Sequence, residues 1–304
     1  MTQPRWLRNV RPYGAPAEDL LIENGRFSQR RPASTTELLV TDIDGQNQLL
    51  TPALVESHVH LDKTLWGQPW RPNSAGPTLK DYIANERRIL REVTVPIAQL
   101  DFVFKLASEF DRGVDIHLHD KGELGLWQIA LIADYTQRFG LQDRVMISHA
   151  YCLGMLPWSQ VKPVAERLAI LGISLMSSAP ADCAVPPFLA LREVGVNVCL
   201  GSDGIRDAWS PMGNGDMLER AMLLAFRFDL NKDEELAAAF EAATVNGARA
   251  LGHDGVGLEI GQPANFLLMP VQTLGEAVVS RPPREVYRGG QLIASGGRLL
   301  ESRL

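Results

Sequence analysis

Short apolar runs in the middle of the chain each end in a histidine or an aspartate. The runs are residues 113–117, 144–149 and 196–203, and their last residues are His117, His149 and Asp203. Stretches with the periodicity of amphipathic helices lie between them, at 126–139 and 161–171. This alternation is typical of a β/α array, in which the chemistry lies at the C-terminal ends of parallel strands. The pattern therefore predicts an α/β fold of the (β/α) TIM-barrel type.

Two further histidines, His58 and His60, follow the apolar run 49–55. If that run is a strand, residues i and i+2 point to the same side, and both imidazoles can reach one ion. A single His-x-His pair is more often two ordinary polar residues at a strand end. Polar residues at the ends of four separate runs favour a metal site instead.

The two ends of the chain have a different pattern, with short β-like runs separated by glycine turns. Asn24-Gly25 is a hairpin signal, Asp44-Gly45 is a second turn, and similar runs occur at 257–268 and 284–300. We expect residues 1–50 and 255–304 to form a small β-sandwich beside a barrel domain at 51–254. The alternative is a single β-arm on each side of the barrel.

Composition excludes several classes of protein. The 304 residues carry a net charge of −6 without a Lys/Arg block, which argues against a nucleic acid or an anionic membrane as partner. Three cysteines cannot form a disulfide framework, and no run of 18 apolar residues or signal peptide is evident. We expect a cytoplasmic protein that acts on a small molecule.

Several motifs together resemble the amidohydrolase superfamily, and within it the cytosine deaminase-like branch. They are HVHLDK at 58–63, DIHLHD at 115–120, Ser148-His149 and GSDGIRDAW at 201–209. The resemblance implies a mononuclear Zn²⁺ or Fe²⁺ site held by His58, His60, His117 and Asp203. Such an ion lowers the pKa of a bound water and so supplies hydroxide for attack on an amidine-type carbon, with release of ammonia.

The same resemblance implies roles for further residues. His149 would stabilise developing charge, Asp203 would take the water proton, and Asp120 stands where the family has a proton-shuttling glutamate. Trp209 and Gln68 would line the substrate pocket, whereas His119 is expected to point away from the ion. The implied reaction is hydrolytic deamination of a nucleobase-like or other small azaheterocycle. Hydrolysis of a cyclic amide and a non-catalytic metal-binding role remain alternatives.

The chain departs from the family pattern in three ways. Asp120 is one methylene shorter than glutamate, and Gly204 stands where a second aspartate is common. The interval from His60 to His117 has room for about two β/α units of roughly 25–35 residues, where the family has four. We therefore expect an incomplete barrel without strands two to four, shortened between about residues 93 and 112. A homo-oligomer could cover the resulting gap.

Overall fold

The computed structural model describes residues 4–35, 38–60, 76–78, 81–82, 100–207, 209–253 and 255–300. In this part of the chain the strands, numbered β1 to β13, are Arg5–Pro12, Glu18–Glu23, Arg26–Pro32, Ile43–Asp44, Leu49–Pro52, Val114–Leu118, Val145–His149, Ser174–Ser177, Val198–Leu200, Phe266–Met269, Glu285–Arg288, Gln291–Ser295 and Arg298–Leu299. The helices, numbered α1 to α8, are Leu100–Glu109, Gly122–Arg138, Trp158–Ile170, Phe188–Glu193, Met217–Arg227, Asp233–Ala242, Val245–Ala250 and Leu274–Ser280. A 3₁₀ turn spans Tyr151–Gly154. No described helix has the length and apolarity that crossing a bilayer requires.

The described residues form two compact units. The first contains the residues up to Val55, Ala221–Arg249 and those from His253 onward, and the second contains Glu56–Arg220 and Ala250–Gly252. The fold is a mixed α/β fold, as predicted, whereas the predicted domain boundaries near residues 50 and 255 stay a prediction.

Both ends of the chain contribute to one sheet in the first unit. Its strand order is β13-β12-β11-β10-β5-β1-β2-β3, and β4 pairs with β1. The strand β5 joins the two ends, because it runs parallel to β1 and antiparallel to β10. The apolar run that precedes His58 thus contributes a strand to this sheet.

A hairpin connects β2 and β3 at Asn24-Gly25, which confirms the turn prediction. Asn24 and Gly25 have φ values of 50° and 75°, and two consecutive positive φ angles are what a tight two-residue turn needs. The sheet covers an apolar core in which Phe266 stacks on Tyr287, with ring centroids 4.5 Å apart.

The second unit contains a four-stranded parallel sheet in the order β6-β7-β8-β9. The helices α2, α3 and α4 follow β6, β7 and β8 in turn, so the predicted β/α alternation is confirmed for this segment. The register places Ser148 opposite His117, Met176 opposite Ser148 and Cys199 opposite Met176. Residues in register in a parallel sheet share a face, and Met146, Met176 and Cys199 form a buried cluster on it. The gap is predicted near residues 93–112. Of these, residues 100–112 are described and form the helix α1 and the turn before β6, and residues 93–99 lie outside the described part.

A buried ion pair ties three strands of the first unit together. The Asp19 carboxylate is fully buried and accepts hydrogen bonds from Nε of Arg8 at 2.8 Å and from the backbone N–H groups of Asn9 and Ser34 at 3.0 and 3.1 Å. The Arg31 Nε atom adds a contact of 3.3 Å from the surface. A charge buried at this depth is stable only with these partners.

We predict that Asp19→Ala lowers the free energy of unfolding of the first unit by about 3–5 kcal/mol, because it leaves the buried Arg8 without its closest counter-charge. Arg31→Ala is the matched control, since its side chain is 43% exposed and should contribute less than about 1 kcal/mol. Urea unfolding followed by circular dichroism measures both. A loss for Asp19→Ala as small as that for Arg31→Ala would contradict the prediction.

Candidate metal centre

Four imidazoles and a carboxylate converge at the C-terminal ends of the parallel strands in the second unit. The donor atoms of His58, His117 and His149 all lie within 4.8 Å of one another, as do those of His58, His60 and Asp203. His58 belongs to both groups and is the centre of the cluster. The structure therefore brings together the four residues predicted as metal ligands, with His149 beside them.

The segment that carries His58 and His60 is held against the residues that follow β9. Val59 and Asp203 form a parallel bridge, in which the Asp203 N–H donates to the His58 carbonyl at 2.9 Å and the His60 N–H donates to the Asp203 carbonyl at 2.8 Å. Gly201 permits this approach, because a Cβ atom there would lie 2.7 Å from the His58 carbonyl oxygen. The two histidines and the aspartate are thus placed by backbone pairing.

Glu56 adds a side-chain link between the same two segments. One of its carboxylate oxygens, Oε1, accepts hydrogen bonds from the N–H groups of His58 at 3.1 Å and Ser202 at 2.9 Å. Sequence reasoning did not identify Glu56. Its position two residues before His58 was the available signal.

The backbone at His149 turns its side chain toward the cluster. His149 is in register with Leu118, so in a regular strand it would face away from Ser148 and His117. Its φ of 74° lies in the left-handed region and breaks this alternation at the strand end. The His149 ring centroid is consequently 5.0 Å from that of His117. Asp203 has a φ of 59°, and both conformations cost about 1–3 kcal/mol that surrounding contacts must offset.

His58 and His117 form the closest pair of donors, with 2.8 Å between their Nε2 atoms. Burial lowers the pKa of His58, but its hydrogen bonds to Asp115 and Asp203 outweigh burial and raise the pKa to about 9. Burial and the charge on His58 lower the pKa of His117 to about 4.

Asp203 is the carboxylate of the cluster. Its oxygens lie 3.3 Å from Nε2 of His60, 3.7 Å from Nε2 of His58 and 3.9 Å from Nε2 of His149. Burial raises its pKa, but the contacts with His58 and His60 outweigh burial and hold the pKa well below its usual range. Neutral imidazole nitrogens with one ionised carboxylate are a donor set that suits Zn²⁺ or a similar divalent ion.

Tyr151 contacts the far side of the His149 ring, with 3.2 Å between its hydroxyl oxygen and Nδ1. Burial raises the pKa of the Tyr151 hydroxyl well above its usual range, so the hydroxyl keeps its proton, and burial lowers the pKa of His149 to about 3. A neutral His149 that accepts from Tyr151 at Nδ1 carries its own proton at Nε2. That nitrogen faces Asp203.

The prediction that His119 points away from the cluster is wrong. Its ring centroid lies 4.6 Å from that of His149 and 5.8 Å from that of His117. The reason is strand alternation, because a residue two positions after His117 lies on the same side of the chain. Asp115, two positions before His117, also lies on this side and was missed for the same reason.

The remaining predicted residues are not among the clustered donor groups, and one of them lies outside the described part. The Asp120 side chain is exposed and makes no hydrogen bond to the clustered side chains. Trp209 stacks on Tyr82 with ring centroids 5.8 Å apart, while Gln68 lies outside the described residues. At Gly204, a Cβ atom would lie 2.2 Å from the Asp207 carboxylate, so Asp207 fills the space that a side chain at 204 would take.

The chain is similar to known proteins over more than half of its length. Residues 85–294 match the model of the amidohydrolase family. The chain is 33% identical over 199 residues to N-isopropylammelide isopropyl amidohydrolase of Pseudomonas sp. (strain ADP), which covers 64% of this chain and 49% of that protein. A protein of Escherichia coli named YahJ is 33% identical over 198 residues, covering 64% of this chain and 43% of its own length. The chain spans about half the length of these curated relatives.

Solved structures show the same likeness. The crystal structure of N-isopropylammelide isopropylaminohydrolase from Burkholderia multivorans aligns with a TM-score of 0.87 and 31% identity, over 98% of this chain and 100% of that one. The 5-methylcytosine deaminase from Klebsiella pneumoniae aligns with a TM-score of 0.81 at 20% identity, over 96% and 97% of the two chains, which shows a shared fold. Together with the family match over more than half of the chain, these findings confirm the resemblance seen in the motifs, and the chain belongs to the amidohydrolase family.

Proposed function

We propose that this protein is a metal-dependent hydrolase that removes an exocyclic amino or alkylamino group from a small azaheterocycle. The observation that carries the proposal is the convergence of His58, His60, His117 and Asp203, with His149 beside them, at the C-terminal ends of parallel strands. That edge of a β/α array is where such enzymes assemble their active sites.

His58, His60, His117 and Asp203 would hold one Zn²⁺ or Fe²⁺ ion. When bound, such an ion supplies a nucleophilic water by lowering its pKa toward neutrality. The three imidazoles leave Asp203 with a second oxygen that faces His149, at 3.9 Å from Nε2. That oxygen is free to take the proton of the attacking water, since the carboxylate is ionised at neutral pH.

His149 and His119 would act on the substrate. With Nδ1 accepting from Tyr151, the Nε2 atom of His149 would carry a hydrogen on the side that faces Asp203 and would donate it to charge that develops on the ring during attack. His119 lies at the exposed edge of the cluster, against the rings of His149 and Tyr151. We assign to His119, with Asp120 next to it, the delivery of a proton to the leaving nitrogen.

The names of the relatives support the substrate class. Two of the proteins at or above 31% identity are named for the removal of an isopropylamino group from N-isopropylammelide. Gly204 stands where the cytosine deaminase-like branch commonly has a second aspartate, and the carboxylate of Asp207, three residues later in the chain, occupies the space beside it. This difference supports a pocket unlike that of cytosine deaminases. An amino-substituted triazine is therefore the first substrate to test, ahead of cytosine.

We further propose that the four parallel strands belong to a (β/α) barrel and that the terminal segments form its β-sandwich. The short interval between His60 and His117 leaves such a barrel incomplete, and a second copy of the chain would cover the open side.

Metal binding is the first prediction that follows from the proposed function. Purified protein loaded with Zn²⁺ should hold one ion per chain, and His117→Ala should weaken affinity by at least about 100-fold because a ligand is lost. His253→Ala is the matched control, since His253 is exposed and lies outside the cluster. Metal analysis and chelator competition measure both. An unchanged metal content in His117→Ala would contradict the ligand assignment.

Product release is the second prediction. The loaded enzyme should free ammonia or an alkylamine from at least one of N-isopropylammelide, other amino-triazines, cytosine, isocytosine and creatinine. Asp203→Asn should lower kcat by about 10²–10⁴-fold, because the base is lost. Ring opening without amine release would instead indicate a cyclic amide hydrolase, and bound metal without turnover on any compound would indicate a non-catalytic relative.

Assembly is the third prediction. Light scattering should give a solution mass near twice the 33.5 kDa of one chain. A mass equal to that of one chain, together with full activity, would contradict completion by a second copy.

A further inference from the structure

The Asp115 carboxylate lies between His58 and Ser148 and contacts both. Its Oδ2 atom is 2.9 Å from Nδ1 of His58, and its Oδ1 atom accepts a hydrogen bond from the Ser148 hydroxyl at 2.6 Å. We propose that Asp115 is a positioning residue that fixes the His58 ring as a ligand, and that Ser148 in turn fixes Asp115. This inference rests on the proposed metal site and adds to it a chain of residues behind one ligand.

The sheet explains why these three groups meet. Asp115 lies two residues before His117 on β6, so both side chains project from the same face. Ser148 is fully buried and stands opposite His117 on the neighbouring strand β7. Its hydroxyl therefore reaches sideways to Asp115 on the shared face, while its backbone is held within the sheet. The carboxylate therefore has the buried Ser148 hydroxyl on one side and the His58 imidazole ring on the other.

The contact at Nδ1 determines whether the opposite nitrogen of His58, Nε2, has a lone pair for a metal ion. A carboxylate accepts only, so Nδ1 must carry a hydrogen, and the lone pair of the neutral ring is then on Nε2. That Nε2 atom points at the cluster, 2.8 Å from Nε2 of His117 and 3.7 Å from Asp203. Metal-ligating histidines are usually held in this way by a carboxylate or a carbonyl at the second nitrogen.

His149 provides a contrast within the same cluster. Its Nδ1 atom faces the Tyr151 hydroxyl, which can donate, where that of His58 faces a carboxylate. The carboxylate at Nδ1 leaves a lone pair on the Nε2 atom of neutral His58, whereas a hydroxyl that donates to Nδ1 would leave a hydrogen on the Nε2 atom of His149. The carboxylate therefore suits His58 to the role of metal ligand, and the hydroxyl suits His149 to the role of hydrogen-bond donor, although both rings lie in one cluster.

Zn²⁺ affinity tests this relay, by which we mean the hydrogen-bonded chain from Ser148 through Asp115 to His58. Asp115→Ala should weaken Zn²⁺ binding by about 10–100-fold, because His58 loses its orientation. Asp115→Asn should restore most of the affinity, since its amide oxygen can still accept from Nδ1 while its NH₂ group faces Ser148. The matched control is Asp111→Ala, which removes a carboxylate that is 92% exposed and paired with Arg144 on the surface, and should leave affinity unchanged. Competition with a chelator gives the affinities, and circular dichroism checks the fold.

Two further measurements separate orientation from general stability. The visible spectrum of the Co²⁺-loaded protein should change in Asp115→Ala and return in Asp115→Asn, because it reports ligand geometry. Ser148→Ala removes only a hydroxyl and should weaken Zn²⁺ binding several-fold, which keeps the relay testable if Asp115→Ala does not fold.

The outcomes distinguish this inference from the proposed function. Wild-type protein that binds one Zn²⁺ ion, with unchanged affinity in Asp115→Ala or in Ser148→Ala, would overturn the relay and leave the metal site standing. Wild-type protein that binds no ion would overturn the metal site and the relay with it. Equal losses in Asp115→Ala and Asp115→Asn would show that charge matters and orientation does not, which also contradicts the relay.

Discussion

The candidate metal centre depends on one backbone contact, the parallel bridge between Val59 and Asp203. Two hydrogen bonds of this bridge fix His58 and His60 relative to Asp203, although more than 140 residues separate them in the chain. Glu56 bonds the N–H groups of His58 and Ser202, which adds a charged acceptor to the same junction. Gly201 removes the side chain that would keep the two segments apart. Backbone and carboxylate together give the ligands a geometry that side-chain packing alone would define less sharply.

The charges of the cluster are balanced so that several of its donors are ready for a cation. Asp203 is ionised, His117 and His149 are neutral, and the raised pKa of His58 reflects the two carboxylates that flank its ring. The apolar and sulfur-containing side chains of Met146, Met176 and Cys199 lie buried on the same face of the sheet. Their low polarity strengthens the electrostatic interactions among the polar side chains next to them on that face.

The backbone at the strand ends carries strain where the chemistry is concentrated. His149 and Asp203 both adopt left-handed conformations that regular strands do not contain. His149 is the last residue of a buried parallel strand, and Asp203 lies three residues after the end of another. Buried strands hold these ends firmly, because their hydrogen-bond ladder and packing outweigh a local cost of about 1–3 kcal/mol. These conformations turn side chains toward a common point, whereas regular strand alternation would direct them to opposite faces of the sheet.

The sequence by itself determined the local elements and the residue types of the site. Apolar runs ending in His117, His149 and Asp203 predicted the parallel strands, and Asn24-Gly25 predicted a hairpin, because burial and turn geometry act over a few neighbouring residues. The motifs identified the family, because each motif is itself a short run of neighbouring residues. Only the tertiary structure decided which sheet β5 joins, since a short apolar strand fits either unit. It also decided that His149 turns inward, and it brought Glu56 and Asp115 to the cluster through contacts with distant residues. Such contacts follow from strand register and backbone dihedral angles, which long-range packing sets and local sequence does not encode.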